Sequence, residues 1–158
     1  QPADQGFATY FLAMLADEDR NVKYAEAIKQ CIAQFRKQQG RAPLVLDLGC
    51  GTGLLTRLAL MHGAAKVVGV DTNRTMCSLA TRALKAANIP ADKYEIYHGT
   101  VDDYAADKDV KFDVMVKALQ YADEFDLLPH LVLPILVDRI TQVSTGRHVA
   151  LLKMRTRC

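Results

Sequence analysis

Three glycines and an acid form the part of the sequence best suited to chemistry. Residues 45–53 read VLDLGCGTG, in which a strand-like run ends at Asp47 and Gly49, Gly51 and Gly53 follow at alternate positions. Glycine tolerates positive φ and has no Cβ, so such a loop can turn sharply and lie against a ligand. A tight strand-to-helix turn without a ligand is the alternative, but it rarely needs three glycines. The loop therefore predicts a ligand held by backbone contacts.

The glycine spacing excludes two common phosphate-binding loops. The dinucleotide pattern G-x-G-x-x-G needs glycine at the position of Leu54, and the phosphate-cradling loop needs a Lys-Ser or Lys-Thr pair that does not follow here. The G-x-G-x-G form after an acid instead resembles motif I of class I methyltransferases. That resemblance implies S-adenosylmethionine (SAM), which has no phosphate and carries an amino acid group beside a sulfonium.

Acids near the ends of three strands would then contact three parts of SAM. Asp47 would meet the ammonium group, directly or through water. Asp71 ends the second strand, where an acid accepts from both ribose hydroxyls and disfavours NADP by repelling its 2′-phosphate. Asp102 follows the third strand and would accept from the adenine amine. The alternatives are a helix N-terminal charge for Asp71 and a solvated loop pair for Asp102 and Asp103.

Alternating strands and helices predict an α/β fold. The apolar periodicity gives, in order, a helix Asn21–Gln39, a strand Leu44–Leu46, a helix Leu54–Gly63, a strand Lys66–Val70, a helix with the stripe Met76, Leu79, Ala80, Ala83, Leu84 and Ala87, and strands Glu95–His98 and Phe112–Val116. This alternation predicts a mostly parallel sheet with right-handed crossovers.

The last forty residues carry weaker patterns. Pro134 suits the first turn of a helix carrying Ile135, Leu136 and Ile140, and Val149–Leu152 suits a fifth strand. Because the chain begins at Gln1 rather than methionine, and ends soon after that strand, we expect a fragment of a longer protein.

The N-terminal segment YFLAMLADEDRNVKYAEAI narrows the methyltransferase resemblance. It resembles the protein arginine methyltransferases, whose N-terminal helices carry Met-Leu, an acid-rich turn, an arginine and a tyrosine. The monomethylating, type III branch is the most similar. The resemblance runs from Thr9 to Val116 and is most specific over Asp19–Tyr24.

This resemblance implies a Rossmann-like class I methyltransferase sheet with N-terminal helices and without the family's C-terminal β-barrel. Residues 1–40 would cover the cofactor and residues 41–158 would form the SAM-binding core. Arg20 would clasp the SAM carboxylate with its guanidinium fork. The alternative makes Phe11, Leu12 and Leu15 a helix-docking stripe and Arg20 an exposed charge. The full expected cofactor-binding set is Phe11, Met14, Arg20, Asp47, Gly49, Cys50, Gly51, Gly53, Leu54, Asp71, Thr72, Met76, Thr100, Val101 and Asp102.

The sequence departs from the family where catalysis is expected. Family members place two glutamates after the fourth strand to orient the substrate guanidinium, but Ala118 occupies the first position and Glu124 fits neither. Catalytic residues therefore stay unknown. An incomplete enzyme, a catalytically inactive regulatory subunit and a small-molecule methyltransferase all remain open.

Bulk composition sets broad bounds on partners and compartment. The 158 residues are 50% hydrophobic and 24% charged, with a net charge of +2, and carry no basic run with interleaved aromatics. We therefore expect one soluble domain that binds neither nucleic acid nor membrane. The four scattered cysteines predict reduced thiols, no metal site and a cytoplasmic or nuclear setting. The resemblance implies an arginine-containing protein substrate and a homodimer in the full-length protein.

Overall fold

A computed structural model describes residues 15–117 together with residues 133 and 134. The elements in chain order are helix α1 (Glu18–Gln39), strand β1 (Leu44–Leu48), helix α2 (Leu54–Met61), strand β2 (Lys66–Asp71), helix α3 (Arg74–Ala86), a 3₁₀ turn (Ala91–Lys93), strand β3 (Tyr94–His98), helix α4 (Val101–Asp107), and strands β4 (Val114–Lys117) and β5 (Leu133–Pro134). From α1 to β3 this order is the alternation that the sequence predicts.

The strands form one sheet in the order β3-β2-β1-β4-β5. Strands β1 to β4 are parallel, and Asp47 of β1 lies beside Gly69 of β2 on one side and Val116 of β4 on the other. From β1 the chain adds β2 and β3 on one side of β1, and then adds β4 on the opposite side. Ligands of open α/β sheets bind at such a reversal, beyond the carboxyl ends of the strands.

Helix α1 begins and ends where its sequence provides caps. The Asp17 side chain accepts a hydrogen bond from the Arg20 amide, and Gly40 closes the helix in the left-handed conformation. One face of α1 packs with α2 on the sheet, and its buried apolar positions are Tyr24, Ile28, Cys31, Ile32 and Phe35. Helix α1 is thereby fixed beside the carboxyl end of β1.

The second face of the sheet is covered by an aromatic cluster. Tyr104 of α4 is buried with Phe112 and packs edge-on against Tyr97 at 5.2 Å between ring centroids. Both faces of the sheet are therefore covered, as near-continuous apolar strands require. No helix in the described part of the chain has the length and apolarity to cross a membrane.

The mostly parallel Rossmann-like sheet is confirmed, but the prediction of Pro134 in a helix is wrong. Pro134 lies in β5, which pairs antiparallel with β4 through Val114 and Met115. Among the described strands β5 lies at the edge of the sheet, where one side of the backbone needs no ladder hydrogen bond and proline is tolerated. The predicted elements around Ile140 and Val149–Leu152 lie outside the described residues.

Two further differences concern helices. Residues 101–107 form α4 rather than a loop, because Thr100 and Asp103 make a reciprocal capping box at its start. In α3 the buried face contains Cys77 in place of the predicted Leu79, whose side chain is 38% exposed. The predicted positions Met76, Ala80 and Leu84 are buried, whereas Ala83 is exposed and Ala87 is half-buried.

Candidate functional site

The glycine loop is built around backbone conformations that only glycine adopts readily. Gly49 and Gly51 have φ of +73° and +52°. Their amides bond to the end of β2: Gly49 N donates to the Val70 carbonyl at 2.8 Å, and Gly51 N donates to Asp71 Oδ2 at 2.9 Å. The loop that follows β1 is therefore anchored to the carboxyl end of the neighbouring strand β2.

Asp47 is a fully buried acid at the base of this loop. Its Oδ2 accepts a hydrogen bond from the Thr56 hydroxyl at 2.7 Å. Its Oδ1, equally buried, has no hydrogen-bond partner among the described residues. Burial raises the pKa of Asp47 to about 6, against the hydrogen bonds from Thr56 that lower it. A buried carboxylate with one unsatisfied oxygen costs free energy unless a donor reaches it.

A pocket opens between the glycine loop and α1. Arg20 of α1 is only 6% exposed, and its guanidinium lies 5.5 Å from the centre of the Tyr24 ring. Asp47 and Arg20 thus bring a buried anion and a buried cation to one cavity. Its lining residues are Leu15, Arg20, Asn21, Tyr24, Asp47, Gly49, Cys50, Gly51, Thr52, Leu54 and Leu55.

Six of the residues predicted from sequence meet in this pocket, and the remaining described ones lie outside its lining. Asp71 lies beside the pocket and accepts hydrogen bonds from Gly51 N and from Asn73 N. Each carboxylate oxygen has a second lone pair, so both can accept further hydrogen bonds. The assignment of Asp71 to the ribose stays a prediction.

The predicted adenine side of the site lies along the ends of β2 and β3. Thr72 is exposed, with its carbonyl oxygen 3.1 Å from His98 Nε2, and Met76 is buried in the first turn of α3. The Thr100 side chain caps α4, whose first turn contains half-buried Val101 and exposed Asp102. The cofactor contacts of these residues, among them the adenine contacts of Val101 and Asp102, stay predictions. The predicted cofactor-binding residues Phe11 and Met14 lie outside the described residues.

Gly53 acts in packing rather than as a pocket wall. It caps α2 with φ of +82°, and a Cβ at this position would lie 3.1 Å from Ala80 Cβ. The absence of a side chain therefore lets α2 approach α3.

Sequence reasoning missed several residues of the site. Tyr24 follows Arg20 by one helical turn and so shares its face, a spacing that could have indicated it. Its hydroxyl also donates to the Lys117 carbonyl at 3.4 Å, which ties α1 to the end of β4. Thr56 had a weaker signal, as a polar residue in the apolar run of α2.

Cys50, the thiol that lines the pocket, is not set up as a nucleophile, and the described residues do not form a cluster that would bind a metal. Burial raises the pKa of the Cys50 thiol well above its usual range, and the carboxylates of Asp47 and Asp71 raise it further. A thiol with a raised pKa is a poor nucleophile. Within residues 15–117, no group of three His, Cys, Asp or Glu side chains could hold a metal ion.

Comparison with known proteins agrees with this geometry. A family model described as "Methyltransferase domain" matches residues 45–131, more than half of the chain. The chain belongs to the methyltransferase domain family. Protein arginine N-methyltransferase 7 of Xenopus laevis is 38% identical over 101 residues, covering 62% of this chain and 14% of that protein. The Drosophila erecta protein of the same name is 42% identical over 83 residues, covering 52% of this chain and 12% of that protein.

Solved structures of arginine methyltransferases have the same fold. The Trypanosoma brucei PRMT1 enzyme-prozyme heterotetrameric complex with AdoHcy matches with a TM-score of 0.58 and 32% identity, covering 68% of this chain and 31% of that chain. Protein arginine methyltransferase 10 of Arabidopsis thaliana matches with a TM-score of 0.57 and 28% identity, covering 71% of this chain and 31% of that chain. The predicted membership of the protein arginine methyltransferase family is confirmed, and the chain spans less than a third of the lengths of these relatives.

Proposed function

We propose that this chain is the SAM-binding part of a protein arginine methyltransferase. The observation that carries the proposal is that buried Asp47 and buried Arg20 both line one pocket, together with residues of the glycine loop. A free amino acid group carries an ammonium and a carboxylate. The unsatisfied Asp47 Oδ1 suits the ammonium, and the Arg20 guanidinium suits the carboxylate.

The fit to SAM follows from these residues and from the glycines. The pocket offers no phosphate-binding pattern, and exposed Gly49, with open space where a Cβ would lie, leaves room for a thioether or sulfonium chain. SAM, when bound, supplies an activated methyl group. The chain's own residues hold the amino acid end of the cofactor at the carboxyl edge of the sheet, which fixes where the methyl group faces an acceptor.

The acceptor is proposed from family membership. The relatives named protein arginine N-methyltransferase suggest arginine side chains of proteins as the substrate. The substrate would approach the end of β4, where Lys117 lies beside Leu48 of β1. In the full-length protein this edge would continue into the residues that orient the guanidinium.

Titration calorimetry with S-adenosylhomocysteine, the demethylated product of SAM, tests the binding claim. The folded chain should bind it, and Arg20→Met should weaken binding by about tenfold or more, because a hydrogen bond to a charged group contributes about 1.5–3 kcal/mol. Lys29→Met, an exposed position on the same helix, is the matched control and should bind as the wild type does. If the chain unfolds cooperatively on heating, and is therefore folded, but does not bind S-adenosylhomocysteine, the proposal is contradicted.

A second candidate is a non-catalytic subunit that binds the cofactor and activates another methyltransferase. It is favoured by the sequence Lys117-Ala118, which places no acid where the family's first glutamate is expected. The Trypanosoma brucei relative is itself part of an enzyme-prozyme complex.

Methylation of arginine-rich peptides by the full-length protein separates the two candidates. The enzyme hypothesis expects methylated arginine with the full-length protein alone. The subunit hypothesis expects methylation only after a second arginine methyltransferase is added, at a rate above that of the second enzyme by itself.

A further inference from the structure

Thr56 is a polar side chain in an otherwise apolar helix. It lies in the first turn of α2 with no exposed surface, between the hydrophobic positions Leu55 and Ala59 that pack on the sheet. A buried hydroxyl costs free energy unless it is hydrogen-bonded. Its Oγ1 donates to Asp47 Oδ2 at 2.7 Å, a short bond to a carboxylate. The hydrogen bond to Asp47 therefore offsets the cost of burying the Thr56 hydroxyl.

This bond divides the two oxygens of Asp47 between two tasks. Oδ2 faces α2 and is occupied by Thr56, whereas Oδ1 is buried and has no partner within the described part of the chain. A carboxylate held through one oxygen cannot rotate about its Cβ–Cγ bond without breaking that contact. Oδ1 is thereby kept in a fixed direction within a residue that lines the pocket.

We propose that Thr56 is a positioning residue, which holds the Asp47 carboxylate so that its second oxygen receives the ammonium group of the cofactor's amino acid end. This inference rests on the proposed function, since it needs an amino acid ligand in the pocket. Thr56 itself does not line the pocket, so it acts through Asp47 alone.

The charged surroundings of Asp47 make its orientation matter. Arg20 lines the same pocket from α1, and Asp71 of β2 acts on Asp47 through its negative charge. Cys50 lies in the loop with a neutral thiol. An Asp47 side chain turned towards Arg20 would compete with the ligand's carboxylate for the guanidinium. The Thr56 bond favours the rotamer that keeps Oδ2 towards α2 and leaves Oδ1 for the ligand's ammonium.

The test compares Thr56→Val and Thr56→Ser with two ligands. S-adenosylhomocysteine carries the amino acid group, and 5′-methylthioadenosine shares its nucleoside but lacks that group. Thr56→Val should weaken binding of S-adenosylhomocysteine by about tenfold and leave binding of methylthioadenosine within about twofold of wild type. Thr56→Ser keeps the hydroxyl and should restore most of the affinity for S-adenosylhomocysteine.

The pH profile of binding adds a readout that a purely structural role would not move. Because the Thr56 hydrogen bond favours ionised Asp47, its loss in Thr56→Val should shift the acid-side fall in affinity to higher pH. In the Asp47→Ala background, which removes the oxygen that Thr56 contacts, Thr56→Val should have no further effect on affinity, as the double-mutant cycle requires for a residue that acts through Asp47.

The outcomes separate this inference from the proposed function. If wild-type chain binds S-adenosylhomocysteine but Thr56→Val binds it equally well, the positioning role is overturned and the function stands. Equal losses for both ligands, or for Thr56→Val and Thr56→Ser alike, would show a packing role and also overturn it. If folded wild-type chain binds neither ligand, the proposed function fails first.

Discussion

Burial makes the ionised form of Asp47 unfavourable in the folded domain. In the unfolded chain its pKa is near the ordinary value of about 3.9, and in the folded chain burial raises that pKa to about 6. Between these values the folded state binds more protons than the unfolded state. The contribution of Asp47 to stability is therefore full below about pH 4 and is lost as the pH rises through 6. At neutral pH the free domain holds an unfavourable buried charge.

Asp47→Asn should separate ligand binding from stability. Asparagine keeps an oxygen for the Thr56 hydroxyl and removes the buried charge, so the free energy of unfolding should rise at pH 7.5 and change little at pH 4. Binding of S-adenosylhomocysteine should weaken by about tenfold or more, because the ammonium loses its ionised partner. Urea unfolding and calorimetry measure the two quantities. A large loss of stability at pH 7.5 would contradict this account.

Ligand binding should release protons near pH 6. An ammonium beside Oδ1 favours the ionised carboxylate, so Asp47 should lose the proton it holds in part of the free molecules at that pH. Calorimetry in buffers of different ionisation enthalpy measures the number released, which should be largest somewhat below pH 6, between the pKa values of the free and liganded states, and fall towards zero at pH 8. A release that persists unchanged in Asp47→Asn would assign the proton to another group.

At the scale of elements, the site depends on how closely α2 approaches its neighbours. Gly53 starts α2 with a positive φ and packs against Ala80 of α3. This places Thr56 one turn further on, over the Asp47 side chain. The third glycine of the loop thus shapes the site through packing, while Gly49 has open space around its missing Cβ.

Gly53→Ala should destabilise the domain more than Gly40→Ala. Both glycines have positive φ, +82° and +67°, so each substitution introduces backbone strain of about 1–2 kcal/mol. Only at Gly53 would the new methyl group meet another atom, Ala80 Cβ at 3.1 Å, whereas Gly40 has nothing within 4 Å. Urea unfolding of the two variants gives the comparison. Equal losses would mean that the contact between α2 and α3 adjusts without cost.

At the scale of the whole molecule, a polar clamp holds the sheet at the edge opposite the pocket. Both Arg41 amino groups donate to the Asp113 carboxylate at 2.7 Å, and the Leu44 amide donates to the same carboxylate at 2.8 Å. The Arg41 guanidinium also lies over the Phe35 ring of α1, 5.1 Å from its centre. The clamp therefore joins the end of α1 to the starts of β1 and β4.

Arg41→Met should lower the free energy of unfolding at neutral pH and make that free energy depend less on pH between 7 and 3. Burial alone would raise the pKa of Asp113, but the bonds from Arg41 and Leu44 lower it below the ordinary value. That contribution is present above about pH 4 and is lost as the pH falls through the folded-state pKa. Urea midpoints at pH 7 and pH 3 should therefore differ less in Arg41→Met than in wild type. An unchanged difference would assign the acid sensitivity to other carboxylates.

The sequence by itself determined the features that depend on neighbouring residues. The glycine loop, the alternation of strands and helices and the placement of Asp71 at the end of β2 all follow from short patterns, because backbone conformation and amphipathic periodicity are local properties. The cap of α4 was equally local, and the Thr100-x-x-Asp103 pattern could have predicted that helix.

Only the tertiary structure decided which side chains meet. The bonds from Tyr24 to Lys117 and from Arg41 to Asp113 join residues 93 and 72 positions apart, and no periodicity in the sequence records such pairs. The same holds for the edge strand of Pro134, which exists through its pairing with β4. Asp47 could be named from its motif, but its hydrogen bond with the Thr56 hydroxyl and its raised pKa come from the burial that packing α2 on β1 imposes.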